Sequence, residues 1–362
     1  MTHVEQDLAD MVIQSGAKSL AVIGTAKNVG KTVTMNYLVS EMYAKGITLG
    51  LVSSGRDGEI VDALTGDPKP SVVPPKGSWI ATAEGVIGEA EMYLEVADVF
   101  ERAGIFGRII IGRMLESVPI ELVGPQTAKE LSLIVKKLQA FGADIVLVDG
   151  ALDRKAAASP QVTDATILCT GAAAGRSLEA VAQEIGFLVW LMSRPQPEDD
   201  RILLLAREAT DRERVCFIDA CSYGFVLRPT NYVTVLGNED VILEELEEGE
   251  NPVAVVVPGA VNQEFLDGVS AWAENDEFSV ISRDPVSIFI DKKPQVNLYV
   301  VEPILLLGVT VNPGSYADVY WDPKEMVSEV AREISKWGYA LPVFDVVSGE
   351  KTVSEGQGLA VG

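Results

Sequence analysis

The chain has 362 residues, 48% hydrophobic and 23% charged, enough for two ordinary domains with no need of disulfides or a structural metal. Its formal net charge of −24 argues against nucleic acid or an anionic membrane surface as the main partner. A single histidine, His3, argues against histidine-ligated zinc and histidine general-base chemistry.

Three cysteines, Cys169, Cys216 and Cys221, form no CxxC pair, and their odd number fits a reducing compartment. The apolar runs are short and broken by charges, and Met1 to Asp10 is acidic rather than leader-like. The expectation is a cytoplasmic protein.

In chain order, residues 4–15 read as a short helix stopped by Gly16, followed by a compact apolar strand from Ser19 to Gly24. From Lys31 onward, Met35, Leu38, Val39, Met42 and Tyr43 fall on helical spacing, and Gly46 ends that helix. Ile47 to Ser53 is a second strand. Strand, glycine-bearing loop, helix and strand form a βαβ unit, which favours a parallel sheet. Residues 66–78, with Pro68, Pro70, Pro74 and Pro75, read as a loop and a candidate lid. Trp79 to Ala83 is a strand candidate. Residues 84–104 are ambiguous, since their alanines and glutamates suggest helix but glycines interrupt it, and Arg108 to Arg113 reads as a strand.

Ala128, Leu131, Val135 and Leu138 line a helix from about Gln126 to Phe141, stopped by Gly142. Ile145 to Val148 is an apolar strand ending in Asp149. Thr166 to Thr170 is another strand, and a helix runs from about Ser177 to Met192. The segment Ser193 to Asp200 marks a domain boundary by composition. The expected division is therefore 1–192 and 201–362. In the second part the strand candidates are Val215–Asp219, Tyr232–Leu236, Val253–Val257 and Leu305–Val311; the helix candidates are Glu264–Ala273 and Lys324–Trp337. The expected fold class is α/β: a P-loop nucleotide-binding domain with a parallel sheet, plus a second, smaller α/β domain.

The chemistry rests on Gly24-Thr25-Ala26-Lys27-Asn28-Val29-Gly30-Lys31-Thr32, between the first strand and its helix. Glycine lets backbone N–H groups curl around phosphate oxygens, and the helix N-terminus adds donors and partial positive charge. Lys31 would neutralise β- and γ-phosphates, and the Thr32 hydroxyl would ligate Mg²⁺. One departure is that the usual first glycine falls on Thr25, with Gly24 one place earlier. The strand ending in Asp149 is the pattern of a carboxylate that supports the same metal. The loop Ser53-Ser54-Gly55-Arg56-Asp57-Gly58-Glu59 should face the same crevice, where Asp57 or Glu59 could orient a water or reach magnesium. The plain alternatives are a chance Gly-Lys-Thr, a carboxylate that merely ends a strand, and an ordinary polar turn.

The loop Gly-Thr-(three residues)-Val-Gly-Lys-Thr and the Asp149-Gly150-Ala151 motif resemble those of dethiobiotin synthetases and their relatives among P-loop proteins, which include cobyrinate amidotransfer ligases. Leu152 and Asp153 replace that family's following glycines, and the lysine expected after the second strand is missing at 53–56. Both departures count against carboxylation and ring-closing ligase chemistry.

Longer stretches resemble a second group. They are GTAKNVGKT at 24–32, SSGRDGE at 53–59, WIATAEG at 79–85, GPQT at 124–127, DGALDRKAAASP at 149–160 and TDATILCTGAAAGRS at 163–177. Together they look like the ATP-binding subunit of the reactivating factor for lysine 5,6-aminomutase and D-ornithine aminomutase. The resemblance implies a slow, chaperone-like ATPase that opens an adenosylcobalamin-dependent aminomutase so that damaged cobalamin leaves. It further implies ATP and Mg²⁺ as cofactors and a second reactivase subunit as partner, with a homo-oligomer also open. Residues 24–32 would bind MgATP, Thr32 and Asp149 would hold the metal, and Lys31, Asp57 and Asp149 would act on the phosphates. The rivals are an ATP-dependent ligase or kinase for a small carboxylic acid, and a nucleotide-gated binding protein without turnover.

Overall fold

The computed structural model describes residues 7–55, 71–104, 107–125, 127–151, 156–249, 251–273, 278–315 and 319–358. It is a mixed α/β structure with a large, mostly parallel central sheet. The chain divides into two compact units, Met1–Val189 with Leu305–Gly362, and Trp190–Ile304.

The first unit opens with α1 (Leu8–Gln14), β1 (Ser19–Gly24), α2 (Lys31–Ala44), β2 (Leu49–Ser53) and β3 (Trp79–Ala83). It continues with β4 (Leu94–Gly104), β5 (Gly107–Met114), α3 (Ala128–Ala140), β6 (Ile145–Ala151), β7 (Ala165–Gly171) and α4 (Leu178–Met192). The helix ends follow from side-chain chemistry. Asp7 accepts the Asp10 N–H at 2.6 Å at the start of α1. Thr127 caps α3: its hydroxyl oxygen accepts the Glu130 N–H at 3.3 Å, and the same hydroxyl lies 2.9 Å from Glu130 Oε2.

The second unit holds α5 (Asp200–Asp211), β8 (Cys216–Cys221), β9 (Gly224–Pro229), α6 (Glu239–Glu247), β10 (Pro252–Val257), β11 (Val261–Asn262), α7 (Gln263–Trp272), β12 (Ser279–Ser282), β13 (Ile288–Phe289) and β14 (Asn297–Val300). Its main sheet has the order β14-β12-β10-β8-β9. Strands β10, β12 and β14 are parallel, whereas β8 runs against β10 and forms a hairpin with β9. Arg228 ties that hairpin together. Its Nε donates to Asp219 Oδ2 at 2.7 Å, its Nη1 donates to the Glu245 carbonyl at 3.2 Å, and its guanidinium lies 4.4 Å from the Phe217 ring centroid.

The chain then returns to the first unit through β15 (Leu305–Asn312), α8 (Pro323–Lys336), β16 (Tyr339–Ala340), β17 (Pro342–Phe344), β18 (Lys351–Val353) and β19 (Gln357–Gly358). The central sheet has the order β18-β17-β15-β7-β1-β6-β2-β3-β5-β4. From β17 across to β3 every neighbouring pair is parallel; β18, β5 and β4 pair antiparallel with their neighbours. The middle strands are apolar and buried along their length, as a parallel sheet covered on both faces requires. Leu20, Val22, Leu147, Ile167, Met35 and Leu38 are fully inaccessible in this core, each contributing about 1.5–3 kcal/mol by burial.

Some expectations need correction. The division at 192/201 does not hold to the end of the chain, because β15 pairs with β7 from Leu305↔Ala165 to Asn312↔Gly171 and so belongs to the first sheet. Tyr232–Leu236 is irregular, with bends at Val233 and Val235, rather than a strand, and the hairpin partner of β8 is Gly224–Pro229. The segment 84–104, ambiguous in the sequence, forms two 3₁₀ turns over 84–86 and 88–93 and the strand Leu94–Gly104; register shifts along β4 blur its alternation. The described part of the proline-rich segment, 71–78, is tied to its neighbours. Ile120 N–H donates to the Val72 carbonyl at 2.9 Å, Gly77 N–H to the Met114 carbonyl at 2.8 Å, and Pro74 and Pro75 are buried. Residues 66–70 of that segment lie outside the described residues.

Candidate functional site

Parallel register brings five strand ends to one edge of the first unit's sheet. Gly24 lies beside Ala151 and Cys169, Ser53 beside Asp149, and Asn312 beside Gly171. Loops leaving the carboxyl ends of neighbouring parallel strands share a crevice, and the loop 24–32 springs from the middle of this row.

Backbone strain shapes that loop. Asn28 has φ 62° and Gly30 has φ 86°, both in the left-handed region. Gly30 is the N-cap of α2, and no side chain caps that helix. By contrast, Asp7, Thr127, Asp199, Asn262 and Asp322 each accept a first-turn N–H at the starts of α1, α3, α5, α7 and α8. Gly24 makes a close approach: a Cβ there would stand 3.2 Å from Val29 Cγ2 and 3.3 Å from the Ala26 carbonyl oxygen. Val29 is the buried anchor of the loop, while Ala26, Lys27 and Asn28 are exposed. Thr25 is held from below by its N–H to the Cys169 carbonyl at 2.9 Å and its hydroxyl to Thr170 Oγ1 at 3.2 Å.

Lys31 opens α2 and turns to the neighbouring strand, where its Nζ lies 3.1 Å from Asp149 Oδ1. Both side chains are largely withdrawn from water, at 19% and 23% exposure, so the two charges meet where screening is weak. Thr32 follows in the same first turn and is partly exposed. The loop after β2 reaches the same place: Ser54 N–H donates to the Asp149 carbonyl at 2.8 Å, with Ser54 Oγ 3.2 Å from the same oxygen. Asp57, with Arg56 and Glu59, lies outside the described residues, as do Asp153, Arg154 and Lys155.

Residues of four of the sequence stretches named above, Ser53, Thr82, Gly124 and Gly150, pack closely round this edge. At Gly124 a Cβ would fall 1.6 Å from the Ser53 carbonyl oxygen, and at Gly150 it would fall 2.4 Å from Ile23 Cδ1. The approach of 121–124 is fixed by Thr82, whose hydroxyl donates to the Glu121 carbonyl at 2.8 Å and accepts the Val123 N–H at 3.0 Å.

Sequence reasoning missed the far wall. Asn312 Nδ2 donates to the Asn28 carbonyl at 3.3 Å, and its own Oδ1 accepts the Gly314 N–H at 3.3 Å. A Cβ on Gly30 would lie 2.8 Å from Asn312 Cβ, and one on Gly171 would lie 2.8 Å from the Asn312 carbonyl oxygen. One turn into α2, Thr34 Oγ1 and Thr310 Oγ1 are 2.9 Å apart in a buried contact. The available signal was the apolar run 305–311 ending in Asn312-Pro313-Gly314, the same strand-then-polar-turn pattern as at Asp149. Beneath the loop, burial pushes the Cys169 thiol up to about 11, with the Thr310 and Thr34 hydroxyls acting weakly the other way.

Chemically, the edge offers a helix start without a side-chain cap, a lysine and a carboxylate at one point, and a row of hydroxyls. Among the described residues no group of three or more His, Cys, Asp or Glu could hold a metal ion, and no helix is long and apolar enough to cross a membrane. No protein-family model, curated protein or solved structure matches the chain.

Proposed function

We propose that residues 24–32 bind the phosphates of ATP with magnesium, and that the protein is a slow ATPase serving an adenosylcobalamin-dependent aminomutase. The observation that carries the nucleotide reading is the Lys31–Asp149 pair at 3.1 Å, formed between the first turn of α2 and the carboxyl end of β6. A strand, a tight glycine-bearing loop and an uncapped helix start make an anion site. A lysine and a carboxylate at its floor suit a phosphate and its metal. The partner reading rests on the sequence resemblance alone.

The residues present fit Mg²⁺. This ion keeps several waters and takes only one or two protein oxygens besides substrate phosphates, which is what the Thr32 hydroxyl and Asp149 carboxylate could provide. When bound, the ion would offset charge on the β- and γ-phosphates. The backbone N–H groups of the loop and first turn would hold the phosphate oxygens. Lys31 would leave Asp149 for the phosphates, freeing the carboxylate for its new role. Asn312 would keep the loop in its strained shape from the opposite side. A protein partner could be driven between two states by such a ligand only to the extent that nucleotide favours one of them.

The test is phosphate release from MgATP by the purified chain, alone and with an aminomutase inactivated on its cobalamin, with Lys31→Ala as control. Stimulation by the aminomutase that vanishes in Lys31→Ala is the expected result. Turnover that appears only with small carboxylic acids would replace this reading with a ligase or kinase. Binding without any turnover would leave a nucleotide-gated binding protein.

A further inference from the structure

The second unit carries a cleft of its own, of about 580 Å³, bordered by Arg212, Arg214 and Arg283. Register explains why three arginines from distant parts of the sequence meet there. Strands β10 and β12 run parallel with Val257 beside Ser282, so Pro258 and Arg283 emerge side by side at their carboxyl ends. Strand β8 runs the other way with Cys216 beside Val256, so the residues just before it, Arg214 and Arg212, arrive at the same edge. The sheet edge here is therefore made by the carboxyl ends of the parallel strands β10 and β12 and the amino end of the antiparallel strand β8.

The arginines are arranged rather than scattered. The Arg283 Nε donates to the Pro258 carbonyl at 3.1 Å and its Nη2 to the Thr210 carbonyl at 3.3 Å, which fixes the guanidinium from the protein side. The Arg214 Nη1 donates to the Asn231 carbonyl at 3.3 Å. The Arg212 Nη2 rests against Glu208 at 2.5 Å on an exposed helix end. Between Arg212 and Arg214, Glu213 takes φ 54°, a conformation that costs a non-glycine residue energy; the turn it makes leaves both flanking arginines on the cleft. Glu213 is the one carboxylate among the residues that border the cleft, in a chain whose net charge is −24.

We propose that this cleft binds a phosphorylated small molecule of nucleotide size or less, at a site separate from residues 24–32. Arg283 and Arg214 keep guanidinium N–H donors beyond those spent on carbonyls, and Arg212 could turn from Glu208 toward a bound anion; such donors suit phosphate oxygens. The volume lies within the range of small-molecule pockets. The proposal does not depend on nucleotide binding in the first unit.

The experiment uses the full chain carrying Lys31→Ala, so that the first site contributes little, and titrates inorganic pyrophosphate, ADP and citrate by calorimetry. Pyrophosphate should bind saturably, and more tightly than citrate. Arg212→Ala with Arg214→Ala, both exposed, should weaken it at least tenfold while leaving the thermal unfolding midpoint in place. Glu213→Gln should tighten it severalfold. Tighter binding of ADP than of pyrophosphate assigns a nucleotide; the reverse assigns a simpler phosphate ester. No saturable binding at millimolar pyrophosphate, equal binding of citrate, or indifference to the double arginine variant would each overturn the proposal.

Discussion

Asn312 reaches across the first unit's sheet edge to hold the carbonyl of Asn28, a residue 284 positions earlier, at 3.3 Å. The contact joins the tip of the 24–32 loop to the end of β15, and Asn28 is one of the two strained residues of that loop. Losing one such hydrogen bond is worth about 1 kcal/mol. Asn312→Ala should therefore weaken ATP binding about fivefold with little change in overall stability. Equilibrium dialysis against labelled ATP checks this, and an unchanged affinity would remove Asn312 from any role in shaping the loop.

The Lys31–Asp149 pair leads to opposite expectations for its two members. Lys31→Ala should abolish ATP binding and destabilise the fold by about 1–2 kcal/mol, because a partly buried carboxylate loses its cation. Asp149→Asn should retain binding but lose the dependence on magnesium. Urea unfolding of the single and double variants, read as a cycle, should show the double variant recovering part of the Lys31→Ala loss.

Gly30→Ala meets two obstacles at once. The backbone angle of 86° disfavours any side chain, and the new Cβ would lie 2.8 Å from Asn312 Cβ. A stability loss of about 2 kcal/mol or more is expected, together with lost nucleotide binding. Pairing it with Asn312→Gly should recover some of that stability and none of the binding, as seen by thermal melting beside dialysis.

Cys169 makes a pH prediction. Its folded value of about 11 stands above the ordinary 9.0 because of burial. Between these values the folded state keeps the proton and the unfolded state releases it, so stability is full below about pH 9 and falls as pH rises toward 11. The loss approaches about 2–3 kcal/mol at the top of that window. Subtracting the urea-unfolding profile of Cys169→Ala from that of the parent chain isolates this contribution, and a flat difference would refute it.

Removing residues 305–362 should do more than shorten the protein. It exposes the β7 edge along its whole length and deletes β15 and β17 from the central sheet. Open parallel edges aggregate. A chain ending at 304 is expected to be insoluble or molten by circular dichroism, whereas two self-contained domains split near 200 would leave the first one intact.

The central βαβ pattern was legible because each signal is local. Gly24 to Thr32, the helical spacing after Lys31 and the apolar strand before Asp149 lie within short windows, and in the fold Lys31 stands beside Asp149. Asn312 and Thr310 were out of reach, since only the β15–β7 register carries them to the loop and no local signal encodes a return from residue 305. Strand β4 stayed ambiguous because its alternation is broken by register shifts at Val96/Asp98 and Phe100/Gly104. The strand reading of Tyr232–Leu236 failed because its Val and Tyr residues follow β propensity, while the hydroxyl of Thr230 and the N–H of Val215 hold the segment in an irregular course instead.

The interruption of the first unit between α4 and β15 also sets an order of events during synthesis. While a ribosome is still making residues 190–304, the emerging first unit has its loop but neither the strand that covers β7 nor the asparagine that steadies Asn28. A nascent chain at that stage would need shelter for a bare strand edge, and the loop would gain its final shape only as the closing segment emerges.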